Sequence, residues 1–259
     1  MVKDPRIVFF DLETLPNLYE VHKVIPGLSS WPGKTLKAQI NSIICCGYKV
    51  LGENKTHCLN AWDFSRWEKD INDDYTLLKE IVKIMKTADA IVTHNGKRFD
   101  WKFFQTRLLL KGLDPMHDIP YIDTCQLAKR NITMDRNSLN TLGEHLVGDT
   151  KLENGGWDLW QRIQFEDNKA DRDLMEKYCK QDVDLLEKVF IKLRPFAKNI
   201  PNYNMWRPGQ TKICPSCGST RLKHNGYRNT KTMSYKRLRC MDCGSSSRTD
   251  MYENNPRSI

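Results

Sequence analysis

Residues 6–13 read Arg-Ile-Val-Phe-Phe-Asp-Leu-Glu, an apolar run that closes on two acids. Apolar residues at both odd and even positions fit a central strand covered on each side. Asp11 and Glu13 lie two residues apart, so a strand points both to one face. Two carboxylates at the end of a buried strand are costly unless the strand surfaces there or a cation neutralises them. The rest of the chain must therefore bring either solvent or more metal ligands to this strand end.

Further acids stand in comparable settings. A helix over 171–193, ended by Pro195, carries an apolar stripe of Leu174, Tyr178, Leu185, Leu186, Val189 and Leu193. Asp182 falls on that stripe, four residues after Tyr178. A carboxylate there needs a partner: a cation, an arginine or backbone donors. In Thr93-His94-Asn95-Gly96-Lys97-Arg98-Phe99-Asp100, a strand ends and an acid opens the next helix. Taken alone, Asp100 is an ordinary first-turn acid favoured by the helix dipole. Taken together, the four acids suit phosphodiester hydrolysis with two divalent cations about 3.5–4 Å apart, which needs hard oxygen ligands from separate elements.

Periodicity and turn residues order the remainder. Residues 14–40 hold Pro16, Pro26, Gly27, Pro32 and Gly33 and read as a long loop or insertion. Strands are expected at 42–50, 56–62, 88–94 and 121–123, and helices at 75–87, 99–111 and from 124 to 130. Ser138 caps a helix to Val147, with Gly148 after it. Residues 151–168, with Gly155 and Gly156, read as irregular, and 199–211, with Pro201 and Pro208, as a linker. Early strands followed by alternating helices and strands predict an α/β fold, a mixed sheet with helices packed on it.

Cys214-Pro-Ser-Cys217-Gly and Cys240-Met-Asp-Cys243-Gly are matched pairs separated by 22 residues. Two such knuckles make a tetrahedral four-cysteine site for one structural Zn²⁺, with a β-hairpin between them. The metal supplies folding energy that about 40 residues cannot draw from a core. The other cysteines, Cys45, Cys46, Cys58, Cys125 and Cys179, are scattered through apolar stretches, which suits a reducing compartment.

Charge is unevenly placed. Of 41 Lys/Arg and 32 Asp/Glu, residues 205–259 hold 11 and 3, a net of +8 against +1 for residues 1–204. The excess studs the region between the knuckles as Arg221, Lys223, Arg228, Lys231, Lys236, Arg237 and Arg239, interleaved with Tyr227 and Tyr235. Cations neutralise phosphates and rings stack on bases, so nucleic acid is the expected partner; docking of a protein on the ribbon is the alternative. No run approaches the roughly 20 apolar residues of a membrane span, and the N-terminal residues lack the apolar segment of a signal peptide. No membrane association and an intracellular, cytoplasmic location are expected.

Phe10-Asp11-Leu12-Glu13-Thr14, Asn95-Gly96-Lys97-Arg98-Phe99-Asp100 and Tyr178-Cys179-Lys180-Gln181-Asp182 resemble the three motifs of the DEDD superfamily of 3′→5′ exonucleases. The Tyr-x-x-x-Asp form marks the DEDDy branch, and the motifs are most similar to those of exonuclease domains related to family-B DNA polymerases. Tyr121-Ile122-Asp123-Thr124 and Ser138-Leu139-Asn140-Thr141-Leu142 fall where such proteins carry similar segments. The resemblance implies a ribonuclease H-like fold over about residues 5–195. It implies that Asp11, Glu13, Asp100 and Asp182 hold two Mg²⁺ or Mn²⁺ and that Tyr178 orients the attacking water. Leu12, Thr14, Asn95 and Phe99 then contact the 3′-terminal nucleotide, and His94 is structural. The Cys-Pro-x-Cys-Gly opening is similar to zinc ribbons of transposase-like and other DNA-binding proteins, which makes Arg228, Lys236, Arg237 and Arg239 nucleic-acid contacts. The domains expected are an exonuclease domain at 1–198, a linker at 199–211, a zinc ribbon at 212–249 and a tail at 250–259. DNA with a 3′ end or single strand is favoured as substrate. The alternatives are an exoribonuclease, a transposase-like nuclease and a non-catalytic nucleic-acid-binding adaptor.

Overall fold

The computed structural model describes residues 4–21, 35–39, 41–117, 119–153, 155–198, 200–207 and 212–253. The acid-ended strand forms as Ile7–Thr14 (β1). After it, Leu18–Val21 (β2) and Thr35–Gln39 (β3) pair as an antiparallel ladder, so the stretch expected to be loop contains a short two-stranded sheet. Strands of four and five residues carry too little alternation to stand out among prolines and glycines. Residues 22–34 lie outside the described residues.

Ile43–Val50 (β4), His57–Asn60 (β5), Ala90–Thr93 (β6) and Tyr121–Asp123 (β7) complete a mixed sheet in the order β5-β4-β1-β6-β7. The β1/β4 and β4/β5 pairs are antiparallel, and β1/β6 and β6/β7 are parallel. Tyr75–Met85 (α1), Asp100–Leu110 (α2), Thr124–Asn131 (α3), Leu139–Val147 (α4), Trp157–Phe165 (α5) and Lys169–Leu193 (α6) flank it. Ser138 Oγ accepts from the Thr141 N–H at the start of α4, and Gly148 ends it at φ +70°. Helix α5 corrects the irregular reading of 151–168. Its buried Leu159 and Ile163, spaced i, i+4, are the amphipathic signal that the flanking glycines obscured.

β1 is buried on both faces, as its composition demands. Phe10 and Leu12 join one cluster with α1, α2 and α5; Ile7 and Phe9 join the other with α3, α4 and the C-terminal half of α6. Phe190 of α6 meets Phe9 edge-on, with ring centroids 5.5 Å apart. From Phe190 back to Asp182 is about 12 Å of helix, and from Phe9 on to Glu13 is about 13 Å of strand. The same packing that seats Phe190 on Phe9 therefore carries Asp182 to the acids of β1. Gly47, opposite Asp11 in the β1/β4 register, allows the approach. A Cβ there would lie 2.8 Å from the Cys179 carbonyl oxygen and 2.9 Å from Val183 Cγ2.

Within the stretch expected to be a linker, residues 203–207 pack against their surroundings. Tyr203, in a 3-10 turn over Tyr203–Trp206, is buried against the second core cluster, and its N–H donates to the Pro215 carbonyl at 2.7 Å. Its ring covers Gly218, where a Cβ would meet Cε1 at 2.4 Å. Arg207 donates to the Gly218 carbonyl and pairs with Asp4. Residues 199 and 208–211 lie outside the described residues. Beyond them Leu222–Asn229 (β8), Ser234–Cys240 (β9) and Ser246–Glu253 (β10) form an antiparallel sheet in the order β10-β9-β8. The expected hairpin is present, and a third strand joins it, running past residue 249, where the ribbon was expected to end. Among the described residues no helix is long and apolar enough to cross a membrane.

Candidate active site

Asp11, Glu13 and Asp182 converge: one carboxylate oxygen from each lies within 4.8 Å of the others. β1 supplies the first two from alternate positions on one face, and α6 lays the third over them. Asp100, the first residue of α2, adjoins this group and accepts the Leu12 N–H at 3.1 Å. Leu12 itself buries its side chain in the core, so what it offers at the site is backbone. Thr14 follows the irregularity at the end of β1 and pairs with Ile43.

The cluster is electrostatically uncomfortable without a cation. Burial, then repulsion from Asp100, Asp182 and Glu13, pushes the Asp11 carboxyl well above the ordinary range. Burial and Asp182 push Glu13 up to about 8, and burial pushes Asp100 up to about 6 against the opposing Leu12 N–H. Burial also raises Asp182, which is only 1% exposed. Its Oδ1 is buried with no hydrogen-bond partner among the described residues. A buried, unpaired carboxylate oxygen facing two more carboxylates fits a divalent cation with oxygen ligands.

Sequence reasoning missed Lys151. Its ammonium pairs with Asp182, donates to Tyr178 Oη at 3.1 Å and lies 5.2 Å from the centre of that ring. Burial alone would lower its pKa, but Asp182 and Asp11 outweigh burial and hold it above the ordinary lysine value. Trp160 was missed too: it meets Tyr178 edge-on at 5.8 Å and hydrogen-bonds Glu13. Both residues belong to the stretch read as irregular, where no periodic signal pointed to a buried face. Tyr178 thus stands between Lys151 and Trp160, its hydroxyl pKa raised by burial and then by Asp182.

A cleft of about 690 Å³ opens beside Asp11, lined also by Asn95, Arg98, Lys129, Arg136 and Lys151 among others. Asn95 sits at φ +60°, a left-handed conformation that asparagine tolerates better than most residues. Asp123 holds the loop by accepting the Asn95, Lys97 and Gln126 N–H groups at 3.0, 3.3 and 3.1 Å. His94 has both ring nitrogens engaged, with Thr124 Oγ1 and the Asn137 carbonyl each at 2.9 Å, and burial holds its pKa down at about 4. It is a neutral clamp between the loop and the segment before α4. Phe99 is 45% exposed and stacked on Phe103, and it is not among the residues that line this cleft.

The second cluster is Cys214, Cys217, Cys240 and Cys243, whose sulfurs all lie within 4.8 Å of one another. Cys214–Cys243 and Cys217–Cys240 are each 3.7 Å apart. Four thiolates at about 2.3 Å from a zinc ion at a tetrahedron's centre are about 3.8 Å from each other, so the residues fit that metal. The knuckles share one backbone form. Cys214 N–H donates to Ser219 O and Gly218 N–H to Cys214 O; Cys240 N–H donates to Ser245 O and Gly244 N–H to Cys240 O. Gly218 and Gly244 take the positive φ, +75° and +79°, that each turn requires.

The expected ribbon contacts do not share a face. By register Arg228, Arg237 and Arg239 point to one side of the three-stranded sheet, and Lys236 to the other.

A family model described as RNase_H_2, of the RNase_H superfamily, matches residues 34–194. The matched stretch contains Asp100, Tyr178 and Asp182 and begins after the strand that carries Asp11 and Glu13. Among solved structures, the chain is similar to the family B DNA polymerase from the hyperthermophilic archaeon Pyrobaculum calidifontis, at 14% identity and a TM-score of 0.50. That likeness is one of fold, and it covers 89% of this chain but 32% of the polymerase. No curated protein sequence matches the chain.

Proposed function

The chain belongs to the RNase H superfamily and has its α/β fold, and on that footing we propose that it is a metal-dependent 3′→5′ exonuclease acting on DNA. The observation that carries the proposal is the convergence of Asp11, Glu13 and Asp182 beside Asp100, with one buried Asp182 oxygen unpaired. Lys151 offsets one of these charges, and the remainder still call for cations. The four acids would hold two Mg²⁺ or Mn²⁺, and ions bound there supply Lewis acidity and charge neutralisation to a phosphodiester.

The chain's own groups account for the rest. The Lys151 ammonium donates to Tyr178 Oη, and the phenol in turn hydrogen-bonds Asp182, which holds the hydroxyl at the cluster where a water would be oriented. Arg98, Lys129 and Arg136 line the cleft beside Asp11 and offer charge to a strand's phosphates. Asn95, fixed by Asp123, presents a side chain to the same cleft. The four-cysteine cluster holds one structural Zn²⁺ and keeps the basic ribbon folded for nucleic-acid binding.

The test is cleavage of 5′- and 3′-labelled oligonucleotides, DNA and RNA, single- and double-stranded, in Mg²⁺ or Mn²⁺. The 5′-labelled DNA should shorten in a ladder from its 3′ end, and Asp11→Ala and Asp182→Ala should abolish the ladder while retaining the fold. Undiminished activity in either variant sinks the metal assignment. Preferential loss of RNA moves the substrate to RNA, and internal cuts replace the exonuclease with an endonuclease.

A further inference from the structure

We propose that one face of the C-terminal sheet is a second nucleic-acid site, one that grips the phosphate backbone of duplex DNA without reading bases. The inference rests on the nuclease reading for its choice of partner class, and it narrows the ribbon's nucleic-acid binding to one face and to the phosphates of a duplex.

Strand pairing sorts the ribbon's side chains into two unlike faces. Across β8, β9 and β10, Lys223 pairs with Arg239 and Arg239 with Ser246; Arg237 pairs with Arg248, and Arg228 with Tyr235. Alternation along each strand places Lys223, Arg228, Arg237, Arg239 and Arg248 on one side. All five are exposed. The opposite side carries Leu222, Leu238, Ser247 and the ligand Cys240, all buried or half-buried, together with His224, Tyr227 and Lys236. The first side therefore faces solvent throughout, while the second backs onto the metal cluster at its knuckle end and is open at His224, Tyr227 and Lys236.

No described side chain on the cationic face is a carboxylate. The nearby Asp242 belongs to the knuckle turn, where it pairs with Arg221 and accepts from Ser219. At the knuckle end Lys223 and Arg239, side by side, border a cleft of about 410 Å³ that Met241 and Gly244 also line. Exposed cations with no carboxylate among the described side chains of their face, spread over three strands about 4.8 Å apart, suit a broad polyanion.

The aromatic ring on this face argues for backbone over bases. Tyr235 is covered by the Arg248 guanidinium, 4.1 Å from the ring centre. A ring stacked in that way is closed to a base on its covered side. The exposed Tyr227 is on the other face, edge-on to His224 at 5.2 Å. Single-stranded sites gain much of their affinity from base stacking. A face that offers only charge favours the denser charge, and a duplex carries about one phosphate per 1.7 Å of axis against one per 3.4 Å for each strand.

The experiment is a salt titration of binding to a covalently closed duplex minicircle, with the full-length, zinc-loaded protein in Ca²⁺. The minicircle offers no 3′ end, so the readout stands whether or not the acid cluster is an exonuclease site. The slope of log affinity against log salt should flatten by about 1.8 in Lys223→Ala/Arg239→Ala, at about 0.9 for each phosphate no longer neutralised. Lys223→Ala/Arg239→Lys should recover about half of that difference, because charge rather than fork geometry is what counts. Lys236→Ala, on the opposite face, should leave the slope as it was, and a single-stranded circle of equal length should bind more weakly. Zinc content confirms that each variant keeps its knuckles. An unchanged slope in the double variant, an equal loss from Lys236→Ala, or a preference for the single-stranded circle each overturns the proposal.

Discussion

Replacing Glu13 with glutamine should make the metal-free protein more stable at neutral pH. Burial and Asp182 lift the Glu13 carboxyl from 4.5 to about 8. Between those values the native chain keeps a proton that the unfolded chain has released, so stability falls as pH rises. By pH 7 the gap spans about 2.5 units at about 1.36 kcal/mol each, or at most about 3.4 kcal/mol, and water reaching the half-buried carboxyl reduces it. The loss is complete once pH passes 8. A glutamine amide has no proton to lose, so Glu13→Gln should flatten the curve between pH 4.5 and 8 and gain on the wild type at its upper end. The assay is urea denaturation across that range in Mg²⁺-free buffer with the ribbon zinc retained. Adding Mg²⁺ or Mn²⁺ should restore wild-type stability at pH 8 and do far less for the variant. A wild-type stability that rises through the window, or equal slopes in both proteins, would refute the reasoning.

Three further outcomes are expected. Gly47→Ala should destabilise the protein by about 1–3 kcal/mol, because the new methyl lands 2.8 Å from the Cys179 carbonyl and must push α6 off β4; single-turnover cleavage should slow as well, since Asp182 and Tyr178 move with the helix, and a wild-type midpoint in thermal denaturation would contradict this. Tyr178→Phe should slow single-turnover cleavage by about 10²–10⁴-fold with little change in DNA affinity, and Lys151→Met should slow it too while leaving Asp182 without its ammonium partner; an unchanged rate in both would make the pair a packing device only. Stripping zinc with a chelator should unfold β8–β10 while the main sheet persists, seen as new proteolysis confined to residues after about 212, and continued protection of the ribbon would count against the zinc assignment.

Local chemistry alone determined a good part of this molecule. The double-faced apolar run marked β1 as a central strand, because only burial on both sides accommodates it. The stripe on α6 exposed Asp182 as an acid in the wrong place, and the paired knuckles announced the four-cysteine cluster. These signals are short-range: periods of two, or of three to four, and ligand spacings written along the chain. Lys151 and Trp160 carried no such signal. Lys151 is tied between α4 and α5 by its N–H to Asn140 Oδ1. It and Trp160 of α5 reach the acids only because the chain folds back to α6, whose seat on β1 is set by Phe190 on Phe9 and by the absence of a side chain at Gly47. A structural His94 was expected, while its partners Thr124 and Asn137 were not, since 30 and 43 residues of chain separate them. Tyr203 was likewise hidden in a proline-marked stretch until its ring was seen to cover Gly218. In the ribbon, composition showed that cations were plentiful, but strand register alone decided which share a face. Pairing contributes that information because a one-residue change of register turns every side chain to the opposite side.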